Sequence, residues 1–126
     1  MKMILILSCL ITGAFVAQEP KLTPLMSKEL TECPGKEATM ITVEYAPGGA
    51  DVIHRHNARA FVYVLEGKVV MQLRGGKPLT LGPGQTFYEG PEDVHLVGRN
   101  ASSAEPAKFL VFFVKDKGAP ILIPAK

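Results

Sequence analysis

Glycine and proline punctuate this chain from end to end, 12 and 10 of them in 126 residues. Spacing of that kind leaves room for short elements bounded by tight turns, which favours strands over helices. The intervening segments fit. Glu37–Tyr45 clusters Thr, Ile and Val, and 51–56, 61–65, 68–74, 77–81, 85–89, 94–97 and 108–114 follow between turns. Gly75-Gly76 joins two of these runs as a two-residue hairpin. The run Phe61-Val-Tyr-Val-Leu65 is apolar on both faces, which predicts burial on both. Residues 19–31 carry Pro20 and Pro24 and read as an extended arm, and 121–123 reads as an edge strand or contact patch. About eight short antiparallel strands without a strong helix predict an all-β sandwich or barrel.

Bulk properties narrow the function. The composition is 47% hydrophobic and 21% charged, enough apolar material for one packed domain. A net charge of +2 with no basic stripe argues against a nucleic-acid partner. Lys2 followed by an apolar run to Val16 and then Ala17-Gln-Glu-Pro20 has the pattern of a secretory signal peptide over residues 1–17. The run is short for a membrane span, which needs about 20 residues. The expectation is therefore an exported protein, periplasmic or secreted, whose single mature domain is 18–126 and which has no membrane contact once the signal is removed. Leu7-Ser-Cys9 loosely resembles a lipoprotein box, although an ordinary cysteine in the leader accounts for it equally. With Cys9 removed, Cys33 is a lone thiol without a disulfide partner, and it is expected to be small, partly buried and without a role.

Chemistry concentrates in His54, His56 and His95, the three histidines of the chain. On a strand, residues two apart share a face, so His54 and His56 can converge on one ion. Imidazole suits Zn, Cu, Fe and Ni, and three protein ligands leave coordination positions open. Taken on residues alone, a strand with two ordinary, partly buried histidines explains the same pattern.

The wider spacing adds to this. Gly48, five residues, His54, one residue, His56 and then Gly67 resembles the first motif of the cupin superfamily. Gly84, ten residues and His95, with Asn100 after it, resembles the second, and Phe61–Gly67 is similar to the corresponding stretch of small single-domain cupins. The resemblance implies a jelly-roll β-barrel, a divalent transition metal (Fe, Mn, Ni, Zn or Cu) held in the barrel mouth by His54, His56 and His95, and a homodimer. The sequence departs from the pattern in three places. Ala60 stands where the family has a glutamate ligand, Gly90-Pro91-Glu92 replaces the usual Pro-x-Gly, and Asn100 falls one residue late. Three neutral imidazoles without a carboxylate would leave the ion's full charge in place and favour anionic or enolate-like ligands. Gln72, Tyr63 and Glu89 are the candidates for a further donor.

Three functions fit these residues: a small metalloenzyme with non-haem oxygenase-like chemistry, a non-catalytic module that binds a small organic molecule, and a structural barrel with a degenerate site. Arg59 is placed to steer an anion or to be a solvated surface charge. Phe87, Tyr88, Phe109, Phe112 and Phe113 are mostly core. Asn100-Ala-Ser102 matches a glycosylation acceptor. No serine or cysteine nucleophile is supported, because no base is left once the histidines bind metal.

Overall fold

The computed structural model describes residue 13 and residues 17–126. The expected signal peptide over 1–17 therefore lies, but for Gly13 and Ala17, outside the described residues. Ten strands run in chain order: β1 Lys21–Leu30, β2 Lys36–Tyr45, β3 His54–Arg55, β4 Arg59–Glu66, β5 Val69–Leu73, β6 Leu79–Leu81, β7 Thr86–Glu89, β8 His95–Asn100, β9 Ala107–Asp116 and β10 Ile123–Pro124. No helix occurs among the described residues.

The strands form two five-stranded antiparallel sheets, ordered β1-β2-β9-β4-β7 and β10-β3-β8-β5-β6. Neighbours in the sheets are mostly distant in sequence, so the chain crosses repeatedly from one sheet to the other, as in a jelly roll. The arm over 19–31 is a full edge strand. It pairs along its length with β2, and a bulge at Pro24/Met26 accommodates the proline where no ladder hydrogen bond is needed. The tail is likewise an edge strand, β10, beside β3.

The core lies between the sheets and is built from Ile41, Val43, Tyr45, Val62, Val64, Met71, Phe109, Val111 and Phe113, among others. Strand β4 corrects the expectation that Phe61–Leu65 is buried on both faces. It alternates strictly, with Ala60, Val62 and Val64 buried while Phe61, Tyr63 and Leu65 are 46%, 46% and 39% exposed. The outward side chains lie on the solvent face of an antiparallel sheet, which needs no second cover. Phe112 and Tyr88 pack against Phe61 on that face with tilted rings, whereas Phe109 and Phe113 point inward. Cys33 sits in the β1–β2 turn and is exposed, not partly buried.

Two buried polar groups tie the loops to the barrel. Lys115 is 5% exposed and donates to Glu37 Oε1 at 2.5 Å and to the Ala119 carbonyl at 2.7 Å. Asn100, 3% exposed, donates to the carbonyls of Glu105 and Ala46 at 2.7 and 3.1 Å, and its Oδ1 accepts from Ser102 N at 2.9 Å. An amide engaged in this way is inaccessible to a glycosyl group, so the acceptor-like sequence at Asn100 is structural in the folded protein. Asn100→Ala strands these buried partners, each costing ~1–3 kcal/mol. A loss of about 3 kcal/mol is expected, read as a lower urea midpoint at unchanged m-value.

Candidate metal centre

His54, His56, His95 and Glu89 meet inside the barrel, each buried, with one possible ligand atom from each lying within 4.8 Å of the others. Different elements deliver them. His54 lies on β3 and is the cross-strand partner of His95 on β8. The strand expected over 51–56 shortens to His54–Arg55, and His56 follows it in irregular backbone. The i, i+2 relation still places both rings on one side, with ring centroids 4.7 Å apart. Glu89 ends β7, directly across from Ala60 of β4.

That register accounts for the departure at Ala60. Facing residues of an antiparallel pair stand about 5 Å apart on one side of the sheet, so a carboxylate from either strand reaches the same space. Ala60 is fully buried and Glu89 is 3% exposed. Of the three further donors considered, Glu89 is the one the fold brings beside the histidines, so the group that could hold an ion includes a carboxylate. Tyr63 points outward, and Gln72 donates to the Gly76 carbonyl on the surface. The signal for Glu89 was a carboxylate on a strand with a buried face, but the sequence does not specify which strand pairs with β4.

The ring orientations are fixed from behind. His54 Nδ1 donates to the Val52 carbonyl at 2.7 Å, and His56 Nδ1 donates to the Ile121 carbonyl at 2.5 Å. A carbonyl only accepts, so Nδ1 carries the hydrogen in both rings. Their Nε2 atoms then face one another at 3.2 Å. In the neutral rings two lone pairs meet there, an arrangement that a cation or a shared proton relieves. Glu89 Oε2 lies 3.1 Å from His56 Nε2 and Glu89 Oε1 lies 2.9 Å from His95 Nδ1. The second contact is off the ring's hydrogen-bonding direction, and neither nitrogen of His95 has a hydrogen-bond partner. Buried polar atoms are normally satisfied. Orphaned nitrogens beside converging lone pairs and a carboxylate fit a divalent metal, and the imidazole and carboxylate donors suit a transition ion.

Electrostatics follow the same geometry. Burial pushes the Glu89 carboxyl up, but the adjacent His56 and His95 rings outweigh it and hold the group down at about 2. Burial drives His54 below the ordinary imidazole value, opposed by its bond to Val52. Burial also acts to lower His56, yet Glu89 and the Ile121 carbonyl prevail and raise it. Behind the cluster, Tyr45 donates to Asp51 Oδ2 at 2.5 Å, and burial followed by the Asp51 charge raises the phenol far above its usual range. Gly98 fits between them, since a Cβ there would lie 2.9 Å from Tyr45 Oη and 3.1 Å from the His95 ring. The site opens on a cavity of about 40 Å³, lined by apolar core side chains together with Asp51 and the cluster itself. Among the described residues no lysine or arginine lines it, and Arg59 is outside, donating to Tyr88 Oη at 2.8 Å.

A family model described as a cupin domain matches residues 41–113. The chain therefore belongs to the cupin family. Several solved structures share the fold. An uncharacterized conserved protein with a double-stranded beta-helix domain from Klebsiella pneumoniae aligns at 20% identity and TM-score 0.66, covering 86% of this chain and 85% of that one. The polyketide cyclase RemF of Streptomyces resistomycificus aligns at 21% identity and TM-score 0.62, covering 87% and 73%. The DMSP lyase DddQ of Ruegeria pomeroyi aligns at 22% identity and TM-score 0.62, covering 70% of this chain and 43% of that one. This chain thus spans less than half the length of that lyase. At these identities the likeness concerns the fold. A comparison with curated protein sequences finds no match.

Proposed function

We propose that this cupin binds a divalent transition metal (Fe, Mn, Ni, Zn or Cu) through His54, His56, Glu89 and His95, and that it takes a small organic ligand or substrate at that centre. The observation that carries the reading is the facing pair of Nε2 atoms, held at 3.2 Å by backbone carbonyls behind them and flanked by the unpartnered His95 nitrogens. A bound metal supplies Lewis-acid or redox chemistry there. The protein's part is to hold the rings in one tautomer, contribute the Glu89 charge and exclude bulk water with apolar walls. With Glu89 in the set and Asp51 beside it, the charge balance no longer selects an anion, and compact uncharged ligands fit best. The similar structures that bear enzyme names, a polyketide cyclase and a DMSP lyase, support small-molecule chemistry as the class. Export to the periplasm or medium and a homodimeric state complete the proposal.

Metal analysis of the purified mature protein, alongside His95→Ala, tests it. Wild type is expected to hold about one ion per chain and the variant far less. No metal in wild type after reconstitution would refute it.

pH gives a second test. His56 is raised in the fold, so without metal its ion pair with Glu89 stabilises the protein below pH ~6.5 and is lost as pH rises through the folded value. Glu89 is depressed, so its share is present above the ordinary carboxylate value of 4.5 and is lost as pH falls towards about 2. Metal acts in the opposite sense to His56, because ligating imidazoles must be neutral. The melting-temperature gain on adding Zn²⁺ should grow from pH 5 to 8 and fade below about 6. A gain that is flat across that range would contradict coordination by these histidines.

A further inference from the structure

The segment after β9 returns beside β3 and the four-residue cluster and is fastened at five points. Ala119 O accepts from Lys115 Nζ at 2.7 Å and Ile121 O from His56 Nδ1 at 2.5 Å. Ile123 and Pro124 pair with Arg55 and His54. Ala125 N donates to Ile53 O at 3.1 Å, and Lys126 O accepts from Arg74 at 2.5 Å. Pro120 and Pro124 bracket the segment and restrict its backbone. Its Ile121 and Leu122 side chains, with Leu22 from β1, line the cavity that holds the four-residue cluster. The cavity of about 40 Å³ has room for only a few water molecules, at ~10–15 Å³ each, so any larger ligand presses on the side chains that line it, Ile121 and Leu122 among them.

We propose that segment 120–126 is a working part of the metal centre: the Ile121 carbonyl holds the His56 ring in its ligating orientation, and the Ile121 and Leu122 side chains set the size of ligand that reaches the metal. The proposal rests on the metal reading above and goes beyond it by assigning selection to one strap. The physical basis has two parts. A hydrogen bond to the far nitrogen of a ligating imidazole fixes tautomer and orientation, and losing such a partner typically costs ~10–100-fold in metal affinity. A wall of branched side chains in a cavity of this size penalises any added ring, because closely packed apolar surroundings yield little. Ile121 and Leu122 thus act as positioning and size-selecting residues, not as ligands.

Co²⁺ serves as probe in the mature chain, since its visible spectrum reports ligand exchange at the metal. Three variants separate the two parts: deletion of 120–126, Ala125→Pro, which removes the donor to Ile53 and loosens the strap while keeping every cavity side chain, and the double variant Ile121→Ala/Leu122→Ala, which keeps the carbonyl. Deletion and Ala125→Pro are expected to weaken Co²⁺ about tenfold or more by competition with a chelator. The double variant should hold Co²⁺ within about threefold of wild type, yet lose about tenfold or more of the preference for imidazole over 4-phenylimidazole, read from the spectrum. If the deletion does not fold, Ala125→Pro and the double variant still decide the matter. Wild type that binds Co²⁺ together with variants that match it in affinity and in ligand preference would overturn the strap and leave the metal reading standing. Wild type that binds no Co²⁺ would overturn both.

Discussion

Glu89→Ala is expected to lower metal affinity by at least about 100-fold, more than the loss of an outer-shell partner, because it removes the single anionic donor of the cluster. Two effects compete. Without Glu89 the His56 ring loses the partner that raises it, so protons compete less for its Nε2. Raising the pH removes proton competition for the ring nitrogens, so that at pH 8 the lost donor dominates. The measurement therefore belongs at pH 8, by chelator competition. The cross-strand register adds a second arm. Ala60 faces Glu89 and shares its buried side, so Ala60→Glu in the Glu89→Ala background returns a carboxylate to the same space from the neighbouring strand. At least part of the affinity should return. An unchanged affinity in Glu89→Ala would remove Glu89 from the ligand set, and a failed rescue would mean that the strand of origin matters as much as the charge.

The largest stability effect is expected at Gly67, where β4 hands over to β5. Its φ is +70°, and a Cβ there would stand 2.4 Å from the Pro106 carbonyl oxygen and 2.9 Å from Ala107 Cα, both backbone atoms at the start of β9. Gly67→Ala therefore carries ~1–2 kcal/mol for the left-handed conformation and ~1–3 kcal/mol for overpacking that no rotamer can relieve. The sum of about 2–5 kcal/mol is a large fraction of the ~5–15 kcal/mol that holds a domain together. At about 4 °C per kcal/mol for a domain near 100 residues, the melting temperature should fall by ~8–20 °C. Gly75→Ala is the matched control. Its φ of +82° carries the conformational cost alone, with nothing within 4 Å of the added methyl. Equal losses from the two substitutions would show that the approach of Pro106 is not what requires glycine at 67.

Much of this fold was legible in the sequence because its signals are local. Turn residues at 47–49 and 82–84 and β-branched runs between them need only their neighbours to act, and most strands appear between them, although the expected two-residue hairpin at Gly75-Gly76 is a longer loop over 74–78 between β5 and β6. The His-x-His pair is local too, since alternation along extended backbone brings both rings to one side. What escaped is non-local. The two-faced apolar run at 61–65 looked buried because composition does not reveal which sheet face has a neighbour; in the fold, Phe61, Tyr63 and Leu65 face solvent.

The sequence by itself determined the class: a punctuated all-β chain of the cupin family with His54, His56 and His95 in the motif positions. Only the tertiary structure decided that Ala60 leaves no gap, because the pairing of β4 with β7 puts Glu89 across from it. It also decided that the segment beyond β9 lies over the cluster with its Ile121 carbonyl on His56. The physical reason is the same in both cases. A strand's own pattern specifies which residues share a face, whereas which face is covered, and the strand's partner, register and distance from a distant segment, are set by packing of the whole chain.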